Sequence, residues 1–135
     1  MKKTYTGRTL GGGRMTVECP DWCVTDHAYW DDPADDMFHS TEPVELELPK
    51  DRAGYRPASR WPLLTAELRQ HSTTPGPAGV SVWLLPQDGH TDNSVEVDAR
   101  GLDAFIAQLD ATRERLVEAR GLLARIDAES RQPAA

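Results

Sequence analysis

A chain of 135 residues with 39% apolar side chains, a mean hydropathy of -0.58, 10 glycines and 10 prolines has room for one domain around a small core, and such a core needs a staple. Fifteen Lys and Arg against 22 Asp and Glu give a net charge of -7, a field that repels phosphate backbones and disfavours nucleic acid as a partner. No apolar run reaches the ~18 residues of a membrane span and no apolar stretch follows Lys2 and Lys3, so a cytoplasmic chain without a signal peptide is expected.

Residues 1–13, ending in Gly11, Gly12 and Gly13, read as a flexible N-terminus, and Arg14 to Cys19 as a short strand that delivers Cys19 to a loop over 19–40. In "PVELELP" the alternation of Val44, Leu46 and Leu48 with Glu45 and Glu47 predicts a half-buried strand. After the turn-rich 50–60, Leu64, Ala66 and Leu68 alternate with Thr65, Glu67 and Arg69. "VSVWLLP" is apolar on both faces, with Val80, Val82 and Leu84 opposite Trp83 and Leu85, as a central strand is. "SVEVD" closes the set. No helical pattern separates these strands, so an antiparallel meander over 43–98 is expected.

From Asp98, a predicted N-cap, the period becomes helical over 99–128, and 129–135 read as a frayed tail. Leu102, Leu109, Leu116 and Leu123 stand seven apart, with Phe105, Thr112, Ala119 and Ile126 three residues after each. The small Thr112 and Ala119 weaken that seam, while Ile106, Val117 and Leu122 widen it, so packing on the protein's own sheet is favoured over a zipper between subunits. A homodimer through the helix, or through the sheet face carrying Trp83, Leu85 and Trp61, is the alternative. The expected fold class is α+β: a small antiparallel meander sheet, an N-terminal zinc-binding loop and one long C-terminal helix in a single domain over 14–128.

The loop "CPDWCVTDHAYWDDPADDMFHS" holds both cysteines, two of the four histidines and six aspartates. In a reducing compartment the pattern C-x3-C-x3-H-x11-H reads as a metal site. Two thiolates and two imidazoles give the closed tetrahedron of structural Zn2+, and the two thiolate charges balance the dication. Cys19, Cys23, His27 and His39 are therefore the expected ligands. The alternatives are free cysteines with surface histidines, or a Cys19–Cys23 disulfide; His71 or His90 could also replace His39 as the fourth ligand. The aspartates lack the spacing and closing glutamate of a calcium loop and read as solvated. Trp22 is expected over the metal site and Trp30 exposed.

A catalytic zinc would keep one position open, with Asp21 or Asp26 as base and His39 outside the coordination shell. No metalloprotease, deaminase, nucleophile-elbow or phosphate-loop motif accompanies it, so the chain is not expected to be an enzyme. The long gap lies between the histidines rather than between Cys23 and His27, unlike a DNA-binding finger, and Arg113, Arg115, Arg120 and Arg125 are interspersed with Asp110, Glu114, Glu118 and Asp127.

The run "CPDWC", then "DH" and "HS", with a closing "VEVDARGLDAFIAQL", resembles an uncharacterised domain family of Streptomyces, related actinobacteria and their phages, whose pattern is C-P-x-W-C-x3-H, a spacer and H-S. The resemblance runs from Cys19 to about Ala128 and is specific in its cysteine–histidine segment. It implies Cys19, Cys23, His27 and His39 as the matched positions, framed by Pro20 and Trp22, and it implies no activity. The acidic spacer and the leucine-heptad helix containing Gly121 depart from that pattern. The expected function is a zinc-stabilised adaptor or regulator that binds another protein through Trp30, Asp31 and Asp32. The alternatives are a dimeric DNA-associated regulator and a zinc-dependent hydrolase.

Overall fold

β-branched and aromatic residues favour extended backbone, and Thr4, Tyr5 and Thr6 adopt it. β1 (Thr4–Arg8) pairs antiparallel with β2 (Arg14–Glu18), from Thr4 opposite Glu18 to Arg8 opposite Arg14. The computed structural model describes residues 2–55, 62–74, 76–86 and 94–132; Trp61, His90 and the Leu85 side chain, singled out in the sequence, lie outside that description. The N-terminus is thus not the flexible segment expected over 1–13. The glycines make the turn: Thr9 N donates to Gly13 O at 2.9 Å, Gly12 N to Thr9 O at 3.0 Å, and Gly12 takes φ 89°, which a side chain would strain.

This hairpin is fastened to the acidic spacer. Ala34 N donates to Arg8 O and Leu10 N to Asp35 Oδ1, both at 2.9 Å. Val17, Ala34 and Met37 are buried between the two, with Tyr5 against them. Apart from these three, Leu84 and the four expected metal ligands, no described side chain is counted as buried. A core of one valine, one alanine and one methionine yields only a few kcal/mol at about 1.5–3 kcal/mol per large side chain, against an ordering cost of about 1–2 kcal/mol per residue.

The second sheet begins inside the loop. β3 (Phe38–Ser40) and β4 (Val44–Leu46) both pair antiparallel with β5 (Leu64–His71), which pairs with β6 (Val80–Pro86), which pairs with β7 (Val95–Val97). β6 is central, as its two apolar faces predict. β3 and β4 share one edge of β5: Ser40 faces Arg69 and Val44 faces Ala66, so three edge residues span two of β5. Pro43 has no N–H to give the ladder. Thr41 bridges the gap, its N donating to Leu68 O and its Oγ1 accepting from Leu68 N, each at 3.1 Å. The "PVELELP" strand stops at Leu46, and Val44, Leu46 and Leu48 are exposed rather than half-buried. An edge strand paired on one side has no second neighbour to shield them.

Strand alternation puts Phe38, Arg69, His71 and Trp83 on one face of this sheet and His39, Leu68, Val82 and Leu84 on the other. The Arg69 guanidinium lies 4.2 Å from the ring centres of both Phe38 and Trp83, so a cation covers the tryptophan for which the sequence suggested a subunit contact.

By its contacts the chain divides into two compact units, Met1–Ala99 and Arg100–Ala135. α2 (Ala99–Ser130) runs two residues past the expected end, and Ser130 Oγ donates to Ile126 O. None of its residues is buried, and Leu109, Leu116, Leu123 and Ile126 are all exposed. Leu102 and Phe105, the first two members of its apolar stripe, are half-buried. Among the described residues no helix is long and apolar enough to cross a membrane.

Candidate metal centre

Each of the four expected ligands is brought in by a different local device. Cys19 extends β2 by one step, its N donating to Lys3 O at 2.8 Å. The chain then turns: Cys23 N donates to Pro20 O at 3.0 Å, which folds the second thiol back toward the first. Val24 N donates to Ser40 O at 2.9 Å and ties that turn to β3, where His39 sits. His27 opens α1 (His27–Trp30), a single turn capped by Asp26, whose Oδ1 accepts from Tyr29 N.

All four side chains are buried, and their candidate ligand atoms lie within 4.8 Å of one another. Cys23 Sγ stands 3.6 Å from His27 Nε2. A tetrahedron with Zn–S near 2.3 Å and Zn–N near 2.05 Å has an S–N edge of about 3.6 Å. The His27 and His39 rings meet edge to face at 5.4 Å. His39 Nδ1 is buried and has no hydrogen-bond partner among the described residues, a lone polar atom that a cation would satisfy. The donor set fits a metal ion.

His27 is held from behind. Its Nδ1 donates to Asp32 Oδ2 at 2.8 Å, leaving the Nε2 lone pair facing Cys23. Asp31 makes this reach feasible: it closes α1 in the left-handed region at φ 52°, and Asp32 N then donates to His27 O at 3.2 Å. Tyr5 lies on the other side, its ring 5.4 Å from that of His27 and its hydroxyl donating to Asp32 O at 2.7 Å. A carboxylate behind a ligating imidazole fixes its orientation and raises its basicity.

A domain of unknown function, DUF6907, matches residues 4–125. The chain belongs to the DUF6907 family. No curated protein and no solved structure matches it. The DUF6907 match takes in the hairpin, the centre and most of α2, so it starts well before Cys19, where the sequence resemblance began.

Electrostatics in this DUF6907 chain follow from burial. The Cys19 thiol is pushed above its ordinary pKa by desolvation, with the neighbouring Cys23 adding to it. His39 is pushed below its ordinary value, again by desolvation first and by His27 second. Without a metal the site therefore favours a protonated Cys19 and a neutral His39. The imidazole is already in its ligand form, and the thiol must release a proton on binding.

Cys23, His27 and Asp32 also have the order of a thiol, base and orienting acid. Cys23 and His27 of this triple are buried, the Asp32 side chain is partly exposed, and the two buried members lie within the same cluster as Cys19 and His39.

The other expected residues fall elsewhere. His71 is outside the cluster: its Nε2 lies 3.1 Å from Asp36 Oδ1, its Nδ1 2.8 Å from Thr73 Oγ1, and its ring packs on Phe38. Asp26, a candidate base, is occupied as the α1 cap. Trp22 is half-buried in the turn between the cysteines. Of the expected contact residues, Trp30 and Asp31 are exposed, whereas the Asp32 carboxylate serves His27. Sequence reading missed Tyr5 and the backing role of Asp32. The spacing His27 to Asp32 across one short turn was the available signal, and it was masked by five other aspartates in the same run.

Proposed function

We propose that this protein is a non-enzymatic, cytoplasmic interaction module in which a structural Zn2+, held by Cys19, Cys23, His27 and His39, makes a rigid platform of the acidic loop, and that it works as an adaptor or regulator by binding another protein. The observation that carries this reading is the convergence of four buried soft and borderline donors in a segment with almost no apolar core of its own. Zn2+ supplies no chemistry here beyond cross-linking. Its binding free energy, about 10 kcal/mol or more for structural sites, replaces the burial that this region lacks. Four protein ligands leave no open position for a substrate, which speaks against hydrolysis.

The platform presents Tyr29 and Trp30, 77% and 67% exposed, beside Asp31. Aromatic side chains exposed on a rigid turn are the usual anchors of protein contacts. The test is a pull-down comparing wild type with Trp30→Ala after both are shown to hold equal zinc. A partner lost only from the variant supports the reading; identical partners in both remove Trp30 from it.

The Cys23–His27–Asp32 geometry gives a second reading, a buried thiol nucleophile, its own observation. Iodoacetamide separates the two. A zinc-bound pair resists alkylation until a chelator is added, whereas a catalytic Cys23 reacts selectively and without chelation.

A further inference from the structure

The charge of the chain is unevenly distributed. Residues 15–49 contain ten Asp and Glu and no Lys or Arg, while the remaining residues hold all fifteen Lys and Arg against twelve acids, a surplus of three positive charges. The whole net negative charge thus resides in the segment that carries the metal centre and the exposed aromatic pair. A field of one sign over one surface selects partners of the other sign.

Within that field the Tyr29 and Trp30 rings meet at 86° with centroids 5.2 Å apart, so two ring faces form a corner. Both rings are largely open to solvent. A perpendicular aromatic pair offers its negative faces to a cation. Asp31 follows directly, its carboxylate 84% exposed and 3.7 Å from the Arg8 guanidinium, itself 74% exposed, an ion pair weak enough to exchange. Asp31 also lines a cleft of about 370 Å³ with Arg8, Thr9, Leu10, Asp32 and Pro33.

From this we infer that the partner is a basic segment of another protein, with one Arg or Lys side chain seated in the Tyr29–Trp30 corner and paired with Asp31. The inference rests on the platform reading above and names the chemistry that platform selects. Zinc enters only by fixing α1 through His27, so that the corner is preformed when the segment arrives.

The test uses the full zinc-loaded chain and a blocked peptide of alternating Arg and Gly, with a Glu–Gly peptide as control, followed by NMR of the tryptophan indole N–H signals. The Arg–Gly peptide is expected to shift the Trp30 indole signal and the Tyr29 amide. Trp30→Ala should weaken binding roughly 2- to 30-fold, the range for an aromatic–cation contact, at unchanged zinc content. Binding by Trp30→Ala as tight as wild type would mean that charge alone attracts the peptide, and the inference fails. No binding by a zinc-loaded wild type also overturns it while leaving the zinc platform standing. A wild type that takes up no zinc removes the platform instead.

Discussion

Replacing Asp32 by Ala removes the carboxylate behind His27 without touching a ligand. The bond is short, 2.8 Å, and points at a ring only 2% exposed, while the Asp32 side chain itself is 26% exposed. Outer partners of metal-bound histidines are worth about 10- to 100-fold in affinity. Partial solvation of the carboxylate places this one near the lower end, about tenfold, or ~1.4 kcal/mol. Competition with a chromogenic chelator reads the change directly. Asp31→Asn is the control, since it removes a carboxylate that does not touch His27 while keeping a residue type that tolerates the left-handed conformation, and it should leave the affinity unchanged. Asp32→Asn should fall between, because its amide oxygen can still accept from Nδ1. Wild-type affinity in Asp32→Ala would refute the claim that this carboxylate orients the ligand, and complete loss of metal would make it a ligand in its own right.

Three further outcomes follow from the same geometry. A Cβ at Gly7 would sit 2.7–2.8 Å from the Tyr5 ring, which is pinned by its bond to Asp32 O, so Gly7→Ala should cost about 1–3 kcal/mol in chemical denaturation; an unchanged midpoint would show that the ring moves freely. Thr41→Val keeps the shape but removes the acceptor for the part-buried Leu68 N–H, and thermal melting should report a loss of about 1–2 kcal/mol. Zinc affinity should fall as pH is lowered from about 8 to about 6, by up to about tenfold per pH unit for each thiol proton displaced. The sign follows from Cys19, whose raised pKa keeps it protonated without metal, whereas the lowered pKa of His39 keeps that imidazole neutral and adds little competition. An affinity independent of pH in the same titration would remove the thiols as ligands.

The four ligand candidates were legible because cysteine and histidine are scarce in this chain and their spacing alone restricts them to one short loop. The central strand was legible from its two apolar faces. Asp32 was not, because its role depends on the left-handed turn at Asp31, a backbone state that several residue types can adopt and that no side-chain pattern announces. β1 was missed because Gly11–Gly13 signals chain freedom and a tight hairpin equally well, and only the pairing with Arg14–Glu18 distinguishes them. The shared edge of β3 and β4 depends on Thr41 standing in for a backbone carbonyl, a substitution visible only once Leu68 faces it. The heptads of α2 describe a stripe whose later members, Leu109, Leu116, Leu123 and Ile126, are exposed, since periodicity reports which residues share a face and not what covers it.

The most direct measurement is native mass spectrometry of the purified chain, paired with a chelator titration followed by NMR. One zinc per chain is predicted, lost together with the dispersed amide signals of residues 19–40 as the chelator removes it, and reduced or abolished in Cys19→Ala and His39→Ala. A chain that carries no zinc after zinc is supplied, and whose loop signals stay dispersed in chelator, would contradict the account.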